Sequence, residues 1–244
     1  MGTLYYGDNL DILQRYLADE SVDLVYLEGT HISERKFREV LRYFAHDLPV
    51  LTAAKLCGLN DSTVPRLCEL LRQRVVARAV QESPPLGGEV EIDESYFGPR
   101  RVRGKRGRGA GGKSPVIGLH KRGANVYLSV VKNCSKAELM PIITGRVLEG
   151  SDIYTDGWKA YDGLVLKGYE HHRIHHHQNQ FARGKNHVNG IESFWRYAKF
   201  RFLKLRGVRQ DRFLLHLKEC AWRFNHRRAK LYPLLLSLLR QNPL

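Results

Sequence analysis

The sequence predicts an α/β fold in which a mixed sheet is flanked by helices and preceded by a small helical region. Three observations carry this. Short β-rich runs lie at Glu89–Asp93, Val116–His120, Asn125–Val131 and Asp152–Asp156. A helical run, Ala137–Ile143, separates the third from the fourth. Long stretches of helical spacing, from Val188 to Phe202 and from Asp211 to His226, follow the strands. Strands, a helix, a strand and then helices give a mixed sheet covered by helices. A 244-residue chain with 43% hydrophobic residues has the material for such a core.

The elements divide the chain into expected segments. Residues 1–29 form an acidic leader, with Asp8, Asp11, Asp19, Glu20, Asp23 and Glu28 against a single Arg15. Within it Val22–Leu27 reads as a short strand. Residues 30–82 read as helical. Ser33 and Glu34 mark a helix start, and Phe37, Val40, Leu41 and Phe44 recur at three- and four-residue spacing until Pro49. A short helix over 51–56, a turn at Cys57-Gly58-Leu59 and a second helix from Asp61 to Val76 have helix-turn-helix spacing. A plain helical hairpin is the alternative. Pro65 is tolerated only in a first helical turn, so the second helix must start near Thr63 or Val64. Residues 83–88 (SPPLGG) are a linker. Residues 89–230 then form the sheet-containing domain and 231–244 a tail. Trp158–Leu164 reads as helical, and Lys121-Arg122-Gly123 as a hairpin turn.

Composition narrows the partners. Forty Lys and Arg against 25 Asp and Glu leave a formal charge of +15, which points to a polyanion and first to nucleic acid. No run approaches the ~18 apolar residues of a membrane span. The N-terminus lacks the pattern of a secretory signal. Cys57, Cys68, Cys134 and Cys220 are widely separated, which argues against a zinc ribbon or a disulfide framework and for reduced thiols in a cytoplasmic protein.

Three acidic residues stand out as a catalytic constellation. Asp93 and Asp156 each end an expected strand with 62 residues between them, and Glu192 follows at a helix start with 35 residues between it and Asp156. Strand ends are where a sheet presents catalytic groups. On that helix Ile191, Trp195, Ala198, Phe202 and Leu205 mark an apolar face, while Glu192, Arg196 and Lys199 share a neighbouring one. Converging carboxylates repel one another unless metal binds, and magnesium takes such oxygen ligands. Taken singly, each acid has a plainer reading as a turn or helix cap.

The words around these acids carry a resemblance. The blocks EIDESYFG (91–98), YTDGWKAY (154–161) and HVNGIESFW (187–195) resemble the three catalytic blocks of bacterial insertion-sequence transposases of the ISXO2-like group. The likeness runs from about His31 to the C-terminus. It implies an RNase H-like fold, Mg²⁺ or Mn²⁺ held by Asp93, Asp156 and Glu192, and cleavage and joining of DNA at terminal inverted repeats. Lys199 resembles the basic residue that follows the third acid in this superfamily. Many relatives carry an N-terminal zinc ribbon, which is absent here. The leader, by contrast, resembles the opening of amino-group DNA methyltransferases but lacks their Asp-Pro-Pro-aromatic motif. The reading is therefore a fusion junction without methyl-transfer activity. Alternatives are a catalytically inactive DNA-binding remnant and a nuclease that cuts without joining.

Further residues read as DNA contacts. Arg100, Arg101, Arg103, Lys105, Arg106, Arg108 and Lys113 crowd a Gly-rich stretch with no acid among them, and Arg196 lies on the Glu192 helix. The late helices add Lys204, Arg206, Arg209, Arg212, Arg223, Arg227 and Arg228. His171, His172, His175, His176 and His177 read as structural or DNA-facing rather than as a zinc site, because strand alternation splits them between faces. Two element ends must be held together, which makes a homo-oligomer an expected partner alongside DNA.

Overall fold

The computed structural model describes residues 24–27, 30–81, 83–98, 113–174, 187–205, 207–241 and 244. These fall into two compact units, one of residues 1–71 with 231–244 and the other of residues 72–230.

In the first unit, strand β1 (Leu24–Leu27) pairs antiparallel with β2 (Thr30–Ser33). The leader's last strand thus shares a hairpin with the start of the helical region. Ser33 ends β2 and caps helix α1 (Glu34–Ala45), its side chain accepting from the Lys36 amide. That bond satisfies one of the orphan amides of the first turn, where Glu34 also complements the helix dipole. The predicted stripe Phe37, Val40, Leu41 and Phe44 is buried. Pro49 precedes helix α2 (Val50–Cys57), which Gly58 closes in the left-handed conformation at φ +60°. Helix α3 starts at Thr63, as Pro65 requires, and continues to Gln81. Residues 231–244, expected as a tail, contain helix α7 (Leu231–Gln241), where the Tyr232 ring lies beneath the Arg42 guanidinium of α1.

The second unit is built on a five-stranded sheet in the order β5-β4-β3-β6-β7. Its strands are β3 (Glu89–Phe97), β4 (Ser114–Lys121), β5 (Val126–Val130), β6 (Asp152–Asp156) and β7 (Glu170–Ile174). The first three are antiparallel neighbours, and β6 and β7 add parallel to β3. Gly123, at φ +72°, makes the tight β4–β5 turn. A parallel neighbour needs a crossover, which runs through helix α4 (Lys136–Thr144). Helices α5 (Asn189–Lys204) and α6 (Gln210–Asn225) close the fold. This is the expected mixed sheet flanked by helices.

Strand alternation sorts the core into two layers. Val90, Ile92, Ile117, Leu119 and Ile153 face Leu139 and Ile143 of α4, with Tyr161 and Leu164 beside them. Phe97, Val116, Val126, Leu128 and Tyr154 face α5 and α6, including the expected stripe Phe213, Leu217, Cys220 and Phe224. Asn225 blunts the β5 edge by accepting from the Val126 amide (2.8 Å) and donating to its carbonyl (3.2 Å).

Two elements differ from expectation. Trp158–Leu164 is not a helix but contains a single 3₁₀ turn, Lys159–Tyr161, because Gly163 at φ +103° ends it. Strand β7 carries the sequence EHHRI, too polar to announce a strand, and forms because β6 offers it a full parallel ladder.

A buried ion cluster ties Arg72, at the start of this unit, to helices α5 and α6. Glu219 is fully buried and receives Arg72 Nε (2.7 Å), Arg201 Nη2 (2.6 Å) and Arg223 Nε (2.7 Å). Burial opposes its charge, but the three guanidiniums hold its carboxyl far below the usual range. Arg223, expected on a solvated or DNA-facing surface, is thus interior. Glu219→Gln removes the charge that the three guanidiniums share and is expected to cost about 3–5 kcal/mol in urea denaturation. Asp211→Asn, which breaks the exposed pair with Arg209, should change stability by less than about 1 kcal/mol. Equal effects of the two would refute the structural role of the cluster.

Candidate active site

The acids meet where the parallel ladder ends. Ile92 pairs with Thr155 in the β3–β6 register, and Asp93 and Asp156 are each the next residue on neighbouring strands. Adjacent strands lie about 4.8 Å apart, so the two carboxylates project side by side from the face that also bears Glu91 and Tyr154. Asp156 ends its strand, as expected. Asp93 does not: β3 runs on to Phe97 because β4 pairs with it beyond the point where β6 stops.

Helix α5 brings Glu192 to the same place. Its start is fixed by Glu91, whose Oε2 accepts the Ile191 amide at 2.9 Å. Two glycines permit so close an approach. A Cβ on Gly190 would meet the His120 ring at 2.3 Å, and one on Gly118, which pairs with Asp93, would lie 2.6 Å from Trp195. One turn into the helix, Trp195 Nε1 donates to Asp93 Oδ2 at 3.1 Å. The helix is therefore fastened to β3 at residues 91 and 93, with exposed Glu192 lying in the turn between the two fastenings.

Glu91 was given no role by the sequence reading. It is buried, and burial opposes its charge. Bonds from His120, the Ile191 amide and Arg122 outweigh that and hold its carboxyl below the usual range. Arg122 Nε reaches Glu91 Oε1 at 3.0 Å, and its Nη2 donates to the His187 carbonyl at 2.6 Å. A signal was present: Glu89, Glu91 and Asp93 at period two place three acids on one strand face, an arrangement too costly for a passive core.

Asp93 has the opposite electrostatics. Burial, with the charges of Asp156 and Glu192, raises its carboxyl to about 6 against the stabilising bonds from the Glu94 amide and Trp195. The three acids are thus close enough to repel. Asp156 Oδ1 also accepts the Trp158 amide at 3.2 Å, so the plainer turn-capping role holds for it as well. On the opposite face Tyr161 donates to Glu94 Oε1 at 2.7 Å. Burial raises the Tyr161 hydroxyl well above its ordinary value, and Glu94, Asp93 and Asp156 add to this. Among the described residues no three His, Cys, Asp or Glu side chains form a ready ion cage.

Known proteins share this sequence pattern. Residues 85–225, spanning all three acids, match the ISXO2-like transposase domain family. The chain belongs to this family. An uncharacterized transposase-like protein of Haemophilus influenzae is 41% identical over 116 residues, covering 48% of this chain and 91% of that protein. An uncharacterized protein in transposable element ISH50 of Halobacterium salinarum is 32% identical over 162 residues, 60% of this chain and 55% of its own length. This chain therefore spans about half of that second relative. The methyltransferase likeness of residues 1–29 finds no support in these relatives. Among solved structures, a simian T-cell lymphotropic virus intasome in complex with PP2A regulatory subunit B56 gamma aligns at TM-score 0.36 and 12% identity, covering 77% of this chain and 68% of its own. The Mos1 Strand Transfer Complex aligns at 0.31 and 12%, covering 87% and 81%. Likeness at that level adds nothing to the sheet topology already described.

In this transposase-family chain, Arg196 and Lys199 are exposed on α5, on the side that carries Glu192, and Lys113 is half-buried just before β4. Arg100, Arg101, Arg103, Lys105, Arg106 and Arg108 lie outside the described residues, as do His175, His176 and His177. His171 and His172 are placed on opposite faces of β7. His171 Nε2 bonds Thr155 Oγ1 at 2.9 Å, while His172 bonds Asp152 at 2.8 Å and stacks on Tyr154. No helix among the described residues is long and apolar enough to cross a membrane.

The raised Asp93 carboxyl makes a pH prediction. A carboxyl near 6 when folded, against 3.8 ordinarily, favours the folded state in acid; that contribution is complete below about 4 and is lost as pH rises through about 6. Asp93→Asn keeps an acceptor for Trp195 and removes the repulsion. It should stabilise the metal-free protein by about 1–2 kcal/mol at pH 8 and leave it unchanged near pH 4. A gain independent of pH in thermal melts would contradict this.

Proposed function

We propose that this chain is a DNA transposase that cleaves at the terminal inverted repeats of its element and joins the 3′ hydroxyl to target DNA. One observation carries the reading: Asp93 and Asp156 lie side by side at the end of a ladder, and α5 brings Glu192 close enough to perturb Asp93. The donor set is three carboxylates in a partly water-excluded place, which suits hard divalent cations such as Mg²⁺ or Mn²⁺. When bound, such ions activate the attacking oxygen and stabilise the leaving oxygen of an in-line displacement at phosphorus.

The chain's own residues do the rest. Asp93, bonded by Trp195, and Asp156, bonded by the Trp158 amide, supply two of the ligands. Glu192 supplies the third. Lys199, two helical turns beyond Glu192, positions the phosphate, and Arg196 meets its neighbour. Arg100, Arg101, Arg103, Lys105, Arg106, Arg108 and Lys113 neutralise the DNA backbone. Helices α2 and α3 form a helix-turn-helix-like element that reads the repeat. The enzyme works in the cytoplasm as a homo-oligomer, since two ends must be joined in one reaction.

Asp93→Ala provides the test, using duplexes that carry the inverted repeats flanking the gene. The variant is expected to bind them as the parent does and to lose Mg²⁺-dependent cleavage. Retained cleavage would overturn the assignment of Asp93. Parent protein that binds but cuts in neither Mg²⁺ nor Mn²⁺ would instead identify a silent DNA-binding remnant.

A further inference from the structure

The outer side of α5 carries a feature the proposed chemistry leaves unused. Phe200 and Leu203 are each 61% exposed, whereas Ile191, Phe194, Trp195 and Ala198 of the same helix are buried. At about 100° and 1.5 Å per residue, Leu203 lies within roughly 20° of Glu192 around the helix and about 16.5 Å further along it. Phe200 lies about 80° round and about 12 Å along. Exposed Arg196 and Lys199 fall between the acid and these two apolar groups. The Lys204 ammonium sits 5.3 Å from the Phe200 ring centroid.

Single exposed hydrophobic residues are ordinary. An aromatic ring and a leucine set among three cations, on the side of the helix that bears the third acid, are not. The cations call for a polyanion, and the ring for a flat apolar partner. An unstacked nucleobase on a phosphate backbone supplies both. A second copy of this chain fits less well. In a twofold contact each patch meets itself, which would bring these cations face to face.

We propose that Phe200 and Leu203 form a stacking platform for an unpaired nucleobase, with Arg196, Lys199 and Lys204 meeting the phosphates of its strand. At 3.4 Å per base step, the 12 Å between Glu192 and Phe200 places that base three or four nucleotides from the cleaved phosphodiester. This rests on the assignment of Glu192 to the cleavage site. The platform selects DNA whose strands have parted next to the cut and is indifferent to which base is presented, since every base has a π face.

Binding without divalent metal tests it separately from catalysis. The probes are a fluorescent blunt duplex and the same duplex bearing a four-nucleotide single-stranded extension at either the 3′ or the 5′ end. The wild type is expected to prefer one extended duplex. Phe200→Ala should lose about tenfold or more of affinity for it, leave blunt-duplex affinity unchanged and melt at the parental temperature. Phe200→Trp should restore the preference. Unchanged affinity of Phe200→Ala, or an equal loss on blunt and extended duplexes, would overturn the platform while leaving the transposase reading intact. A dimer seen in sedimentation and abolished by Phe200→Ala would overturn it in favour of self-association. Wild-type protein that binds none of these duplexes would sink both the platform and the proposed function.

Discussion

The candidate site depends on one contact, the seating of the α5 N-terminus on β3. The Ile191 amide donates to Glu91 Oε2, and that bond joins the strand of the first acid to the helix of the third. Glu91 and Asp93 are two residues apart on one strand face, while Ile191 and Glu192 are consecutive. Together with the Trp195–Asp93 bond, the Ile191–Glu91 bond brings together two acids that lie 99 positions apart in the sequence. The seat exists only because Gly118 and Gly190 have no side chain where Trp195 and His120 must pass. A buried carboxylate at a helix start is also favoured by the helix dipole, which lets Glu91 keep its charge away from water.

Two buried or half-buried acids on one strand are held in opposite states. Glu91 is surrounded by donors and keeps its charge, whereas Asp93 is surrounded by acids and resists ionising. The first arrangement is complete within the protein. The second is stressed, and a cation would relieve it. Stress of this kind concentrates at functional sites because no selection for stability alone would leave it in place.

The positive charge of the chain is likewise divided between two tasks. Arg72, Arg201 and Arg223 surround Glu219 in the interior, and Arg122 serves Glu91. These guanidiniums hold helices and strands in place and are not exposed for contact with a ligand. Arg196 and Lys199 remain outside, on the side of α5 that carries Glu192. A count of basic residues overstates what is offered to DNA, because planar guanidinium is the cation best suited to interior ion pairs.

Much of the fold was legible because its signals are local. The stripe in α1, the Ser33 cap, the start of α3 at Pro65, four of the five strands of the main sheet and the two late helices follow from periodicity and capping chemistry in neighbouring residues. The three acids were legible as separate words, since each lies in a distinctive run. Residues 231–241 form a helix that was read as a tail, and β7 was read as a histidine cluster, because neither declares itself without its partner. By itself the sequence determined most of the helices and strands and singled out three acids as candidates for chemistry. Only the tertiary structure decided that Asp93 lies within its strand, that Glu91 anchors the third acid and that Arg223 is interior. The Glu91–Ile191 bond spans 100 residues and the Arg72–Glu219 pair 147, and contacts across such separations leave no periodicity to read.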